Sequence, residues 1–249
     1  IGIPEYARTA ALRYADAAFN TFGPLNARTQ AALPVATSLF DELTTAMARE
    51  NLRPGSWGHS LYEAADRGLI RQDQVVALLR AYLTAAMDTT ISSVSNAIWL
   101  LAEHPEAWRA LKANPSLLRS AFEEVVRIES PVQAFFRRTT TDVDIEGIHI
   151  PADTRVVILY GSANRDPRKW PDPDRFIVDR NPTDHVGFGY GVHACVGQGL
   201  ARLEGHALLS ALLDRVDSIH LDGPPVRRLN NVIRGLSSLP VSVVPRSRS

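Results

Sequence analysis

The chain has 249 residues, 45% hydrophobic and 22% charged, which is enough to bury one substantial core. Its 27 Lys and Arg residues balance 27 Asp and Glu residues, so there is no overall field suited to nucleic acid or an anionic membrane. A single cysteine excludes a disulfide framework and a cysteine-rich zinc site, and indicates a reducing compartment. The longest apolar region, 75–102, is interrupted by Arg80 and Asp88 and makes a poor membrane span. We therefore expect a cytoplasmic protein without nucleic-acid or membrane partners.

The first half of the chain is predicted to be helical. Apolar residues at helical spacing predict three early helices, over 6–22, 29–50 and 59–67. Residues 72–103 are predicted to form one helix of about thirty residues, ~45 Å long at 1.5 Å per residue. A further helix is predicted over 115–129, with Ser130-Pro131 as its stop signal.

The second half is predicted to be mixed. Residues 143–150 alternate with period two around a turn and 155–159 are apolar, which together predict a small antiparallel sheet. Residues 164–182 are rich in Pro, Asp and Arg without periodicity and predict an ordered meander. Strand-like pieces follow Asp217, including 239–244. The expected fold is mainly α with a small β region, in one domain over 1–249.

The lone cysteine, Cys195, lies in the stretch FGYGVHACVG at 188–197. Its glycines allow the backbone to turn tightly and to approach a flat cofactor closely. Residues 198–215 predict an amphipathic helix, whose N-terminal N–H groups and positive dipole end favour a thiolate over a thiol. A thiolate is the axial ligand that pushes electron density onto haem iron and favours O–O cleavage.

Two other interpretations of Cys195 remain open from the residues alone. Most lone cysteines in intracellular proteins are small buried apolar residues. A cysteine nucleophile is the other, because His193 and His206 are near in sequence, although no orienting third group or oxyanion motif accompanies them.

The cysteine stretch resembles, position for position, the haem-ligand signature of the cytochrome P450 monooxygenases; the matching residues are Phe188, Gly189, Gly191, His193, Cys195 and Gly197. The resemblance implies a P450 fold, haem b as cofactor and Cys195 as the iron ligand. It implies propionate contacts from Arg137 and His193, and further cofactor contacts from Phe188, Gly189, Ala85 and Ala86. Members of the family are longer, so we expect the chain to be the C-terminal portion of a larger protein that lacks its N-terminal region.

The segment at 85–90, AAMDTT, lies in the middle of the predicted long helix. A threonine there often bonds back to the carbonyl four residues earlier and bends the helix. Taken alone, the segment is a polar helix face. It resembles the oxygen-activation segment of the same family, which implies that Thr89 hydrogen-bonds dioxygen or its water and that Asp88 helps to relay protons. Ala86 stands where many members have glycine, and its methyl group could narrow the oxygen groove.

Glu124 and Arg127 are three residues apart, which places both on one helix face. Taken alone they indicate an exposed ion pair of little energetic weight. The resemblance adds Arg180 and implies a network that locks the loop leading to Cys195, as structural support of the haem site.

Several segments, among them SPVQAFFR at 130–137 and LNNVIRGLSSLPV at 229–241, look like a bacterial subgroup that oxidises para-substituted benzoic acids. The resemblance implies an apolar clamp on an aromatic ring, formed by Phe19, Phe22, Val132 and Phe135. Taken alone, these four residues are ordinary core. Arg80 is retained for the carboxylate, whereas Ala81 stands where the subgroup has a serine that helps to bind it.

The expected function is therefore that of an oxidoreductase, a monooxygenase that hydroxylates or O-demethylates a small aromatic substrate. The resemblance implies dioxygen as co-substrate and a ferredoxin-type electron donor with its NAD(P)H-dependent reductase. The rival from another class is a truncated, non-catalytic remnant that keeps the motifs but cannot hold haem.

Overall fold

The computed structural model of the chain describes residues 1–247. The chain divides into two compact units, Ile1–Ile91 with Leu229–Ile233, and Ser92–Arg228 with the C-terminal stretch from Arg234. Between residues 1 and 247, no helix has both the length and the apolar character needed to cross a membrane.

The first unit is helical. Its helices are α1 (Arg8–Thr21), α2 (Ala27–Ala46), α3 (Trp57–Asp66), α4 (Gln72–Ala86) and the first turn of α5 (Asp88–Glu103). α1 packs against α2 and α4, and α3 packs against α4. The core between them includes Leu43, Met47, Leu79 and Leu83, all fully buried.

A short segment from late in the sequence, Leu229–Ile233, completes this unit. The side chain of Asn231 donates to the Asn20 carbonyl at 2.8 Å and to the Thr29 hydroxyl at 2.9 Å. Its own Oδ1 accepts from the side-chain amide of Asn26, the N-cap residue of α2, at 3.0 Å. The segment is thus tied to the start of α2 through side-chain hydrogen bonds rather than through a strand.

The second unit contains most of α5, then α6 (Pro105–Ala113), α7 (Leu118–Glu129), α8 (Tyr160–Ala163) and α9 (Gln198–Arg215). α7 packs against α9. The two helices approach closely at Gly205, where a Cβ atom would lie 2.2 Å from the fully buried ring of Phe122. This close packing joins the helix that follows Cys195 to α7.

The described residues of this unit also form short strands: β1 (Ala134–Arg138), β2 (Val143–Ile145), β3 (Ile148–Ile150), β4 (Arg155–Leu159), β5 (Val216–Leu221), β6 (Val226–Arg228), β7 (Gly235–Ser238) and β8 (Val241–Pro245). They form four antiparallel pairs, β1 with β4, β2 with β3, β5 with β8 and β6 with β7.

The predicted sheet over 143–159 is partly wrong. Residues 143–150 do form a hairpin, but the apolar run 155–159 pairs with 134–138 instead. Backbone hydrogen bonds from Thr139 N–H to Thr154 O at 3.0 Å and from Asp153 N–H to Thr139 O at 2.8 Å close the intervening loop. These bonds bring 155 opposite 138, so the ladder continues along β1.

Two helix predictions also need correction. The helix predicted over 72–103 is interrupted at Met87, which separates α4 from α5. The helix α6 was not predicted, because His104-Pro105 is a stop signal for the preceding helix; Pro105 in fact opens the next one. The helix over 198–215 and the meander over 164–182 are confirmed.

Candidate functional site

The loop that carries Cys195 folds back on itself through backbone hydrogen bonds. The N–H of Gly189 donates to the carbonyl of Val186 at 2.9 Å, and the N–H of Cys195 donates to the carbonyl of Phe188 at 2.7 Å. The thiol group is exposed. The interpretation of Cys195 as a small buried apolar residue is therefore wrong.

Gly189 is the residue that the turn requires. Its φ is +73°, a conformation that residues with a Cβ rarely adopt, and an added Cβ would lie 2.6 Å from the carbonyl oxygen of His193. A side chain at this position would have to displace backbone. The glycine therefore makes possible the tight turn that lies six residues before Cys195.

The surroundings of the thiol fit a flat apolar cofactor with a soft metal. Three apolar side chains that flank Cys195 in sequence are exposed, namely Tyr190, Val192 and Val196. α9 begins at Gln198, so the positive end of its dipole lies three residues after the cysteine. A thiolate donor beside exposed apolar side chains is what a haem iron and its porphyrin need, so the residues present fit a haem.

Arg137 lies on β1 and is partly buried. Its guanidinium group donates to the hydroxyl of Tyr160 at 3.2 Å and to the carbonyl of Phe136 at 2.8 Å. The next residue, Arg138, is exposed and forms an ion pair with Asp153. The two arginines therefore differ in environment, and the contact of Arg137 with a propionate stays a prediction.

Neither nearby histidine is placed to activate the thiol. His193 ends the short 3-10 turn Gly191–His193 and is exposed. His206 packs edge-on against the ring of Phe122, with 5.5 Å between ring centroids, and burial lowers its pKa. Within residues 1–247, no hydrogen bond joins the Cys195 thiol to either histidine. The structure therefore shows no histidine hydrogen-bonded to Cys195 among the described residues, and the contact of His193 with a propionate stays a prediction.

The structure brings Glu124, Arg127 and Arg180 together in one network. The side chains of Glu124 and Arg127 are 0% exposed. Arg127 donates from Nε to Glu124 Oε2 at 2.7 Å and from Nη2 to Oε1 at 2.9 Å, a bidentate pair. Arg180 Nε and the Ile177 N–H donate to the same Oε1, at 3.0 and 3.1 Å.

The two arginines also bind the backbone of the meander. Arg127 Nη1 donates to the carbonyls of Asn164 at 2.6 Å and Pro173 at 2.9 Å, and Arg180 Nη2 donates to the carbonyl of Asp172 at 2.9 Å. The meander has no helix or strand of its own, so these guanidinium groups supply partners that regular structure would otherwise provide. The predicted role of the network, support of the loop that leads to Cys195, stays a prediction.

The interruption at Met87 lies within the predicted oxygen-activation segment. The hydroxyl of Thr89 donates to the carbonyl of Ala85 at 2.7 Å, which is the back-bond to the fourth preceding residue. Asp88 is buried, whereas Ala85 and Ala86 are exposed. The sequence thus predicted the local distortion but not that it would divide the helix in two.

In the first unit, two of the predicted substrate contacts lie together. Phe19 and Phe22 form an edge-to-face pair with 5.9 Å between ring centroids; Phe19 is buried and Phe22 exposed. Arg80 is exposed and its guanidinium carbon lies 5.0 Å from the ring centroid of Phe40. Ala81 is exposed as well.

In the second unit, Val132 and Phe135 are partly buried. The ring of Phe135 lies edge-on to the ring of Tyr160, with 6.5 Å between centroids. Tyr160 is also the residue whose hydroxyl accepts from Arg137, so Phe135 and Arg137 share one neighbour.

The sequence analysis missed a second buried carboxylate beside the first. Glu123 binds His185 and Arg202, which lie before and after the cysteine loop in the chain. One sequence signal could have indicated a buried Glu123: it and Glu124 are consecutive acids in a helix whose other buried residues are mostly apolar. Nothing in the sequence indicated its partners.

Comparison with known proteins places this arrangement in a family. A sequence model of the family described as Cytochrome P450 matches residues 59–234. Cytochrome p450 CYP199A2 from Rhodopseudomonas palustris is 44% identical over 245 residues, 98% of this chain and 60% of that protein. The beta-dihydromenaquinone-9 omega-hydroxylase of Mycobacterium bovis is 38% identical over 182 residues, 73% of this chain and 37% of that protein.

A solved structure, cytochrome P450 CREJ in complex with (4-ethylphenyl) dihydrogen phosphate, matches with a TM-score of 0.86 and 28% identity, over 95% of this chain and 60% of that one. The chain thus spans less than two thirds of the length of each of these proteins. The predicted fold, mainly α with a small β region, is confirmed. The exposed thiol in its glycine turn, the Glu124–Arg127–Arg180 network and these likenesses agree: the chain belongs to the cytochrome P450 family, whose cofactor is haem b.

Proposed function

We propose that the full-length protein is a haem-thiolate monooxygenase that hydroxylates or O-demethylates a small aromatic substrate, a para-substituted benzoate. The observation that carries the proposal is the exposed lone thiol, held in a glycine turn directly before α9, in a chain of the P450 family. A haem with a thiolate ligand supplies reductive activation of dioxygen, in which one oxygen atom enters the substrate and the other leaves as water.

The reaction needs two electrons and two protons for each oxygen atom inserted. We propose that NAD(P)H supplies the electrons through its reductase and a ferredoxin-type donor. The balance is substrate, dioxygen, NAD(P)H and one proton giving hydroxylated substrate, water and NAD(P)⁺. Where the hydroxylated carbon is the methyl carbon of a methoxy group, the product breaks down into a phenol and formaldehyde.

The residues of the second unit hold the cofactor in this proposal. Cys195 binds the iron as a thiolate, and Arg137 and His193 donate to the propionates. The turn at Gly189 and the network around Glu124 fix the loop, so that the sulfur is held in position before the cofactor binds.

Asp88 and Thr89 control protons in this proposal. The Thr89 hydroxyl donates to the Ala85 carbonyl at 2.7 Å, and a hydroxyl group can both donate and accept hydrogen bonds, which is what a proton-delivery path requires. The buried carboxyl group of Asp88 lies next to Thr89 in the chain. It suits a proton relay because a carboxyl group can take up and release a proton.

Thr89→Ala is expected to leave haem and substrate binding intact while it diverts reducing equivalents to peroxide. The substitution removes the hydroxyl that orders proton delivery and leaves the iron ligand unchanged. The measurement is product formed per NAD(P)H consumed with a competent redox chain, and we expect a several-fold fall. Thr90→Ala is the matched control on the same turn, and Thr89→Ser should restore the ratio. An unchanged ratio in Thr89→Ala would reduce Thr89 to a helix-packing residue.

Two observations support an anionic aromatic substrate. Phe19 and Phe22 pack edge-to-face, and a further aromatic ring can pack against such a pair. We propose Val132 and Phe135 as further apolar contacts of the substrate ring. Arg80 is an exposed cation in the same unit as that pair, and suits a carboxylate. The ligand in the CREJ structure is likewise a para-substituted aromatic ring that bears an anionic group.

The alanine at position 81 predicts weak binding of the carboxylate. A hydrogen bond to a charged group is worth roughly 1.5–3 kcal/mol, so Ala81→Ser is expected to tighten 4-methoxybenzoate binding about tenfold or more. A neutral analogue without the carboxylate should bind the wild-type protein and Ala81→Ser equally. The titration follows the spin-state change of the full-length haem protein. If neither compound perturbs the spectrum while a bulky terpenoid or fatty acid does, the aromatic-acid proposal is wrong.

A further inference from the structure

α7 carries two consecutive buried carboxylates, and they bind different parts of the second unit. Glu124 binds Arg127 and the meander, whereas Glu123 binds His185 and Arg202. Successive helix residues point about 100° apart, which follows from 3.6 residues per turn, so one helix can serve two partners at once. The predicted network of Glu124, Arg127 and Arg180 uses only Glu124.

Glu123 is held as an anion by its two partners. Arg202 donates from Nε to Oε1 at 2.5 Å and from Nη2 to Oε2 at 3.1 Å, and His185 Nε2 lies 2.9 Å from Oε2. The Gly187 N–H donates to His185 Nδ1 at 3.0 Å, which leaves the histidine proton on Nε2, facing the carboxylate. Burial favours the neutral acid, but the hydrogen bonds from His185 and Arg202 outweigh it and lower the pKa of Glu123 to about 2.

Both partners of Glu123 also contact the ring of Phe188. The guanidinium carbon of Arg202 lies 4.5 Å from its centroid, a cation–π contact, and the ring of His185 lies 5.6 Å from it, tilted by 39°. The carbonyl of Phe188 accepts the N–H of Cys195. A continuous series of contacts thus leads from the carboxylate of Glu123 to the backbone of the cysteine.

We propose that Glu123 is a positioning residue for Cys195, which acts by holding His185 and Arg202 against Phe188. The proposal rests on the role of Cys195 as iron ligand. A carboxylate is needed because both oxygens accept: Oε1 binds Arg202 Nε, and Oε2 binds Arg202 Nη2 and His185 Nε2, whereas an amide has only one acceptor oxygen. In Glu123→Gln, an amide NH₂ group replaces one of the two carboxylate oxygens. It would face an N–H donor of His185 or Arg202 instead of accepting from it, and that partner would be released from Phe188.

The chain offers a matched control on the same helix. Glu129 is also a buried carboxylate bound by arginines, with Arg227 at 2.7 Å and Arg234 at 3.2 Å. Arg165 also lies 3.7 Å from this carboxylate, and within the described part of the chain none of the three arginines hydrogen-bonds to any residue from 185 to 197. Glu129→Gln therefore removes a similar buried charge without touching the cysteine loop.

The first experiment measures amide hydrogen exchange over 188–195 in the full-length protein without haem. Glu123→Gln should speed exchange in this peptide by about tenfold or more, because the contacts that keep the loop closed are lost, while Glu129→Gln should leave the peptide as in the wild type. Equal exchange in the two variants, or wild-type exchange in Glu123→Gln, would overturn the proposal.

The second experiment measures the reduced carbon-monoxide complex of the haem-loaded variants. Glu123→Gln should convert part of the long-wavelength Soret band of thiolate ligation to a shorter-wavelength band, and Glu129→Gln should not. If Glu123→Gln does not fold, Arg202→Lys keeps the charge but loses the planar contact with Phe188, and should give the same two changes in weaker form. If the wild-type protein lacks the thiolate band, the role of Cys195 as iron ligand is contradicted. Faster amide exchange in Glu123→Gln would even then support the series of contacts from Glu123 to Cys195.

Discussion

Arg127→Ala is expected to lower the free energy of unfolding by about 3–5 kcal/mol, the largest stability effect of any single substitution considered. Removal of one partner of a buried ion pair leaves the other charge without compensation, here the carboxylate of Glu124, whose side chain is 0% exposed. The same change leaves the carbonyls of Asn164 and Pro173 without their donor. The measurement is denaturant unfolding of the full-length protein, followed by circular dichroism.

Arg168→Ala is the control for that experiment. Arg168 pairs with Asp166 through equally short contacts, but its side chain is 81% exposed. Exposed pairs contribute about 0–1 kcal/mol, so this variant should unfold near the wild-type midpoint. If the two variants unfold at the same denaturant concentration, Arg127 does not have the structural weight that its burial implies.

Cys195→Ser is expected to abolish product formation and the long-wavelength Soret band of the reduced carbon-monoxide complex. A serine hydroxyl is not a soft anionic donor, so the strong electron donation of a thiolate to the iron is lost. Arg168→Ala is the control here as well, because its side chain is 81% exposed and takes no part in the proposed haem site. Retention of the band in Cys195→Ser would contradict the ligand assignment. Activity that persists without haem and disappears on alkylation would instead favour the nucleophile.

The cysteine loop was predictable because its conformation depends on neighbouring residues. Gly189 has a positive φ, which glycine adopts readily, and α9 follows at once, so the local sequence contains the turn, the thiol and the helix start. Glu124 and Arg127 are similarly local, since they are one helical turn apart. The ends of α9 agree with the predicted helix for the same reason.

The features that the sequence did not predict depend on contacts between distant residues. The pairing of β4 with β1 depends on the closure of the loop around Thr139. The interruption at Met87 is a local exception, because a back-bond such as that from Thr89 to Ala85 bends many helices without dividing them. Glu123 meets His185 and Arg202 across 62 and 79 residues of sequence, and periodicity carries no information about such partners.

The most direct test of the central claim is the absorption spectrum of the reduced, carbon-monoxide-treated full-length protein after haem loading. We expect a long-wavelength Soret band, because Cys195 is an exposed cysteine in a glycine turn directly before α9. A full-length protein that binds no haem, or one that gives only the shorter-wavelength band of a haem without thiolate ligation, would contradict the assignment of Cys195 as the iron ligand.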